Sequence, residues 1–310
     1  MTPDAIAAAG QRFAREFPHF IRRTPLWQLP GRALGLDCEQ VWLKLEHLQT
    51  AGSFKARGML MRLLSQPIPA PGVIVASGGN AGIATAAAAR ELGVRCEVFV
   101  PVVSSPAKQA RLRELGAEVV VTGEAYADAL QACLDRQRAT GALLTHAYDQ
   151  PEVVTGAGTL AQEIEAQGGG VPDAVLVSVG GGGLIGGVAS WFQDRSRVIA
   201  LEPEGAPTLH AARAAGAPVD VAVGGLAADS LGARRIGALA WDITQRWVPE
   251  SLLLPDAAIR AAQQRLWKDF HLAVEPAAAL GLAALAEGRV QATRPCIILC
   301  GANLDPATLA

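Results

Sequence analysis

Disulfide frameworks, zinc-finger patterns and membrane spans are all missing from this sequence, and so is any excess of charge. Its five cysteines, Cys38, Cys96, Cys133, Cys296 and Cys300, include no Cys-x-x-Cys pair. They are too few to staple 310 residues, which points to a reducing, cytoplasmic compartment. No two of the five histidines stand at metal-ligand spacing. Lysine and arginine total 27 against 29 aspartates and glutamates, with both signs scattered. That leaves no basic stripe for nucleic acid or a membrane surface. No apolar run is long enough to cross a bilayer. The opening MTPDAIAAAGQRFAREF carries acids and lacks a long apolar core and a cleavage site, so no signal peptide is expected. Fixed-period repeats and low-complexity linkers are absent as well.

What the sequence has is alternation. Apolar runs suited to strands stand at 41–46, 72–77, 96–100, 118–121, 142–147, 174–179, 198–202 and 296–300. Ala-rich helical patterns lie between them, at 81–92, 106–115, 125–138, 154–167, 184–193, 256–270 and 277–287. Continuous apolar strands separated by helices predict an α/β fold with parallel sheets covered on both faces. Soft breaks at SQPIPAPG (65–72) and AYDQPEVV (147–154) bracket several βα units. They predict a small inserted domain, 71–147, within a larger one formed by 1–70 and 148–310.

Three short stretches carry the chemistry. In AVLVSVGGGGLIGGVA (174–189) a strand runs into four glycines and then a helix. Such a turn brings backbone N–H groups close to an anion at a helix N-terminus. Gly181, Gly183 and Gly186 satisfy the dinucleotide fingerprint, and Glu202 follows at the distance of a ribose-binding acid. An NAD-dependent oxidoreductase is therefore one reading. The unbroken row Gly180–Gly183, preceded by several βα units, suits a single phosphate better. The second stretch, LEHLQTAGSFKARG (45–58), contains Lys55, which is either a solvated surface lysine or a Schiff-base lysine with a lowered pKa. The third, VIVASGGNAGIATAAAAR (73–90), places Asn80 in a tight turn, as an N-cap or aimed at a ligand.

Together these stretches resemble the fold type II pyridoxal-phosphate enzymes, the tryptophan synthase β family, and within it the serine/threonine dehydratase branch. RTPLWQLP (23–30), SFKARG, SGGNAG, HAYDQPEVVTGAGTLAQEI (146–164), VGGGGLIGG, LEPEGAPTLHAA (201–212), AVEPAAALGLAAL (273–285) and IILCGANLD (297–305) match that family's motifs in order, over nearly the whole chain. The resemblance implies two domains with parallel-rich, open twisted sheets, and pyridoxal 5'-phosphate as cofactor. Lys55 would carry the cofactor and abstract the substrate's Cα proton. Phe54 would pack near the ring, and Asn80 would hydrogen-bond the ring's 3-oxygen. Gly180, Gly181, Gly182, Gly183 and Leu184 would donate N–H groups to the phosphate. Ser77, Gly78, Gly79, Asn80 and Ala81 would bind the substrate carboxylate. Cys300 would face the pyridine nitrogen as a neutral thiol, so that the phosphate helps protonate the leaving hydroxyl. Glu202, the Ala206 carbonyl and Thr208 would hold a cation; with one carboxylate among neutral oxygens, K⁺ or Na⁺ is expected over Mg²⁺.

Three departures from related patterns narrow the reaction. Racemases place a serine directly before the Gly-Asn of the asparagine loop, where this chain has Gly78. The β-replacement branch has a Thr-Ser-Gly-Asn-Thr loop, from which Ala76 and Ala81 depart. After CGANLDPATLA no regulatory extension follows, which suggests a compact, catabolic homodimer. The reaction expected is β-elimination from L-threonine or L-serine to a 2-oxo acid and ammonia. β-Replacement and racemisation are the alternatives.

Overall fold

The computed structural model describes residues 1–309. Two parallel-rich sheets organise it. The larger has strand order β1-β2-β10-β7-β8-β9, from β1 (Leu26–Pro30), β2 (Gln40–Lys44), β7 (Ala174–Ser178), β8 (Arg197–Pro203), β9 (Glu250–Leu254) and β10 (Pro295–Ile298). The smaller runs β5-β4-β3-β6, from β3 (Val73–Ala76), β4 (Cys96–Val100), β5 (Glu118–Val121) and β6 (Leu143–Thr145). Only β1 and β2 pair antiparallel; every other pair is parallel. Every residue of β3, β4, β7 and β10 is buried, because helices cover both faces.

All eight strands and seven helices expected from sequence are present, with ends shifted by a few residues. The helices are α3 (Asn80–Glu91), α4 (Pro106–Glu114), α5 (Tyr126–Thr140), α6 (Pro151–Gly168), α7 (Gly183–Phe192), α10 (Asp256–Phe270) and α11 (Pro276–Ala286). Three further helices, α1 (Pro3–Glu16), α8 (Thr208–Ala215) and α9 (Ala238–Trp247), and the edge strands β1 and β9, had no counterpart in the sequence reading, while α2 (Lys55–Leu63) opens at Lys55 itself. One detail is corrected: strand β10 ends at Ile298, so Cys300 lies just beyond it.

Helix α6 is the spacer that positions the site. Helix α2 crosses it where a Cβ on Gly58 would stand 2.7 Å from the Val153 carbonyl oxygen. Helix α7 crosses where a Cβ on Gly187 would stand 2.5 Å from the Gly158 nitrogen. Both crossings bring backbone against backbone, which only glycine permits. The start of α2 (Lys55) and the start of α7 (the glycine loop) are thereby held in fixed relation. The buried side chains Ala56, Leu60 and Leu63 of α2 join Val73, Val75 and Ala86 in the core beneath the small sheet.

Behind Lys55, Arg57 is anchored in a buried ion network. Its guanidinium donates to both Glu46 oxygens at 2.8 Å and to both Glu163 oxygens at 2.7 and 2.9 Å. Lys44 reaches the same Glu163 at 2.6 Å. Burial opposes ionisation of Glu46, yet Arg57 holds its carboxyl below the ordinary range.

Candidate active site

Lys55 is half-buried, and its Nζ donates to the Ala147 carbonyl at 2.7 Å. Burial lowers its pKa from 10.5 to about 8, against the opposing pull of Cys300 and Glu275. An amine this easily deprotonated is a nucleophile and base near neutral pH. The loop before it is pinned to the C-terminal segment. Phe54 N donates to the Cys300 carbonyl at 3.0 Å, Ala302 N to Gly52 at 2.8 Å, and Ser53 bridges to Gly301. Cys300 is buried, and its thiol is pushed up to about 12 by burial and then by Glu275. It is a neutral group at any working pH. The half-buried Phe54 ring packs against the large core, 5.1 Å from Lys55 Nζ.

Two helix N-termini present free N–H groups. At α7, Gly182 is the N-cap with φ +89°, a conformation that suits glycine. Among the described residues, no acceptor takes up the N–H groups of Gly180, Gly181, Gly182, Gly183 or Leu184. At α3, Gly79 is the N-cap, and Gly79 N donates to Ser77 Oγ at 3.3 Å. The N–H groups of Gly78, Asn80 and Ala81 likewise lack an acceptor among the described residues. Each end carries the partial positive charge of a helix N-terminus, so each is an anion cradle. The segment 227–231 spans the two. A Cβ on Gly180 would sit 3.3 Å from Leu231 Cα, and one on Gly79 would sit 3.9 Å from the Asp229 carbonyl. The Tyr148 ring packs directly on Gly181, and the Tyr148 backbone and Cβ lie against Gly183, one residue beyond the carbonyl that holds Lys55.

Glu202 does a different job from the ribose contact of the dinucleotide reading. Its buried carboxylate accepts from Leu209 N (2.7 Å), His210 N (2.9 Å), Thr208 Oγ1 (3.1 Å) and Ser251 Oγ (3.1 Å). It thus caps α8, and burial still raises its pKa. Thr208 Oγ1 also lies 2.6 Å from the Gly180 carbonyl, tying α8 to the glycine loop, while the Ala206 carbonyl accepts from Thr208 N at 3.2 Å. Among the described residues no three His, Cys, Asp or Glu side chains converge as a metal set.

Residues without a role in the sequence reading prove to be part of the site, Glu275, Asn303, Asp149 and Ser104 among them. Asn80 Nδ2 donates to both oxygens of buried Glu275, at 3.0 Å each, and Asn80 Oδ1 accepts from Asn303 Nδ2 at 2.5 Å. Asp149 caps α9 through Ala238 N and Leu239 N, both at 3.0 Å, which braces the Tyr148 segment. Ser104, on the loop after β4, stands where residue 78 has no side chain: a Cβ on Gly78 would lie 2.6 Å from Ser104 Oγ. The motifs HAYDQPEVV, AVEPAAAL and CGANLD signal Asp149, Glu275 and Asn303, whereas no motif signals Ser104; the pairing across 195 and 223 residues was not readable.

This geometry suits a phosphorylated aldehyde held on lysine. It offers an amine of pKa about 8, five unpartnered N–H groups for a phosphate, and a neutral thiol. In addition, the buried Ser53 Oγ beside Lys55 finds no hydrogen-bond partner. The class defined is an enzyme with a lysine-anchored phosphate cofactor. Residues 18–301 match the pyridoxal-phosphate dependent enzyme family model, and the chain belongs to that family. Its cofactor is pyridoxal phosphate, and the dinucleotide reading is set aside. The L-threonine ammonia-lyase of Geobacter sulfurreducens is 36% identical, covering 87% of this chain and 69% of that protein. The phenylserine dehydratase of Ralstonia pickettii is 34% identical over 99% of this chain and 95% of its own length. Among solved structures, the threonine deaminase of T.th. aligns with TM-score 0.90 at 33% identity, covering 98% of this chain and 99% of its own. Maize serine racemase aligns at 0.91 with 28% identity, covering 99% and 95%.

Proposed function

We propose that this protein is an ammonia-lyase that eliminates water from L-threonine or L-serine and releases a 2-oxo acid and ammonia. One observation carries the reading: a lysine of pKa about 8 stands among two rows of unpartnered helix-N-terminal N–H groups. Pyridoxal phosphate, when bound, supplies the electron sink for negative charge developed at the substrate Cα. The chain's residues do the rest. The glycine loop holds the phosphate, and the N–H groups at the start of α3 hold the substrate carboxylate. The amine of Lys55 then takes the Cα proton. Electrons of the broken Cα–H bond form the Cα–Cβ double bond, and the Cβ–O bond breaks as the departing hydroxyl takes up the proton that the Lys55 ammonium returns to the site, leaving as water. The enamine that remains takes up water to give the 2-oxo acid and ammonia.

Gly78 favours elimination over racemisation, since it offers no proton of its own. Ser104 Oγ stands close enough to Gly78 to supply a hydroxyl instead, so the enantiomer of recovered substrate is the second readout. The test is 2-oxo acid formation by the loaded enzyme with L-threonine and L-serine, together with chiral analysis of the remaining substrate. Keto acid without D-isomer supports this reading; D-isomer without keto acid overturns it.

A monovalent cation is proposed at Glu202, the Ala206 carbonyl and Thr208. It would offset a buried carboxylate whose four direct donors are all neutral, and it would stiffen Gly180 through Thr208. Activity in K⁺ or Na⁺ against choline tests it. The chain is proposed to act as a cytoplasmic homodimer. It is also proposed to comprise a small domain, 71–147, inserted in a large one, 1–70 with 148–310. No helix is long and apolar enough to cross a membrane among the described residues.

A further inference from the structure

Glu275 is a buried carboxylate that the elimination mechanism leaves without a task. It is 4% exposed and stands at the N-cap of α11. Its own N–H donates to the Gly301 carbonyl at 2.9 Å, one residue beyond Cys300. Its direct side-chain partners are all neutral. Asn80 Nδ2 reaches both oxygens at 3.0 Å, and Asn303 N reaches Oε1 at 2.8 Å. Burying a carboxylate among neutral groups costs stability, and a hydrophobic side chain there would not. The carboxylate therefore needs a reason to be there.

The partners supply it. An asparagine side chain presents a donor on one side and an acceptor on the other, and nothing in its shape fixes which way round it sits. Asn80 has both sides fixed. An ionised carboxylate accepts only, so Nδ2 must face Glu275. On the other side Asn303 Nδ2 donates to Asn80 Oδ1 at 2.5 Å, and Asn303 is itself held by the Ala51 carbonyl at 2.8 Å. Turning the amide over would set oxygen against carboxylate and NH₂ against NH₂. Nδ2 carries two hydrogens, and one of them satisfies Glu275. The other is left for an acceptor in the site.

We infer that Glu275 is a positioning residue: with Asn303 it fixes the polarity of the Asn80 amide, so that Asn80 meets the cofactor as a hydrogen-bond donor. This rests on the reading of Lys55 as the cofactor-bearing lysine. The charged and titratable groups around Glu275 are Lys55, the Cys300 thiol, and, farther out, Asp229 and Lys108, which pair with each other. Glu275 also bears on Lys55 electrostatically, favouring its protonated form.

The test is a double-mutant cycle on Glu275→Gln and Asn80→Ala, read by titrating each cofactor-free protein with pyridoxal phosphate and following its visible band, with the thermal midpoint as a fold control. Wild type must show the band; without it the lysine reading itself fails. Given the band, Glu275→Gln, whose own amide no longer dictates which way Asn80 faces, is expected to weaken cofactor binding about tenfold. It should also move the pH midpoint of the band, and leave the thermal midpoint of the cofactor-free protein unlowered. In the Asn80→Ala background the same substitution is expected to change cofactor affinity by less than about twofold. Additive losses, or a Glu275→Gln protein with wild-type affinity and spectrum, would overturn the inference. Should Glu275→Gln not fold, Asn303→Ala enters the same cycle, because it removes the donor that fixes Asn80 Oδ1. It too must lose its effect when Asn80 is alanine.

Discussion

Lys55 owes its reactivity to where α2 begins. A lysine on an open surface titrates near 10.4; here burial brings it to about 8. Depression of a cationic group's pKa means more free amine at a given pH. Capture of pyridoxal phosphate by the cofactor-free protein is thus expected to speed up as pH rises from about 6 through about 8 and to level off above it, measured by stopped-flow absorbance. A rate still climbing steeply between about pH 9 and 10 would place the amine in an ordinary environment. Gly78 invites a second prediction. Gly78→Ser puts its Cβ 2.6 Å from Ser104 Oγ, so the single variant is expected to lose elimination activity without gaining racemisation. Pairing it with Ser104→Ala relieves the contact, and recovered activity is then expected in the keto-acid assay.

At the scale of elements, α2, α6 and α7 form the frame, and the ion network around Arg57 locks α2 to it. Arg57→Ala leaves buried Glu46 and half-buried Glu163 without their guanidinium. A loss of about 3–5 kcal/mol in urea unfolding is expected, whereas a loss under about 1 kcal/mol would show the network to be dispensable. The sequence made the frame partly legible. Strands β3, β4 and β7 announce themselves as unbroken apolar runs because both of their faces are covered. The edge strands β1 and β9 do not, since they are half-exposed and mix polar residues and proline into the run. Helix α1 carries a pattern, Ile6, Ala9 and Phe13 at helical spacing behind a Thr2 N-cap, although no helix was expected there. Helix α8 was not legible, because its start is fixed by Glu202 from β8, six residues away in sequence.

For the whole molecule, the site is assembled from both sheets: the asparagine loop follows β3, the glycine loop follows β7, and Cys300 follows β10. Each of these is a βα turn or strand end, where a local sequence pattern forces the chain to turn. That is why Lys55, Asn80 and the glycines could be picked out from sequence. The partners that orient them could not. Glu275 meets Asn80 across 195 residues, and Asn303 meets it across 223. Such pairings depend on how the sheets are brought together.

The measurement that tests the account most directly is the visible absorption spectrum of the pyridoxal phosphate-loaded protein, recorded before and after L-threonine with 2-oxo acid assayed in the same cuvette, in parallel with Lys55→Ala. The account predicts a band that the wild type shows and Lys55→Ala lacks, changing on addition of substrate as 2-oxo acid accumulates. A wild-type protein that stays colourless with the cofactor, or whose band and keto-acid production survive Lys55→Ala, would contradict it.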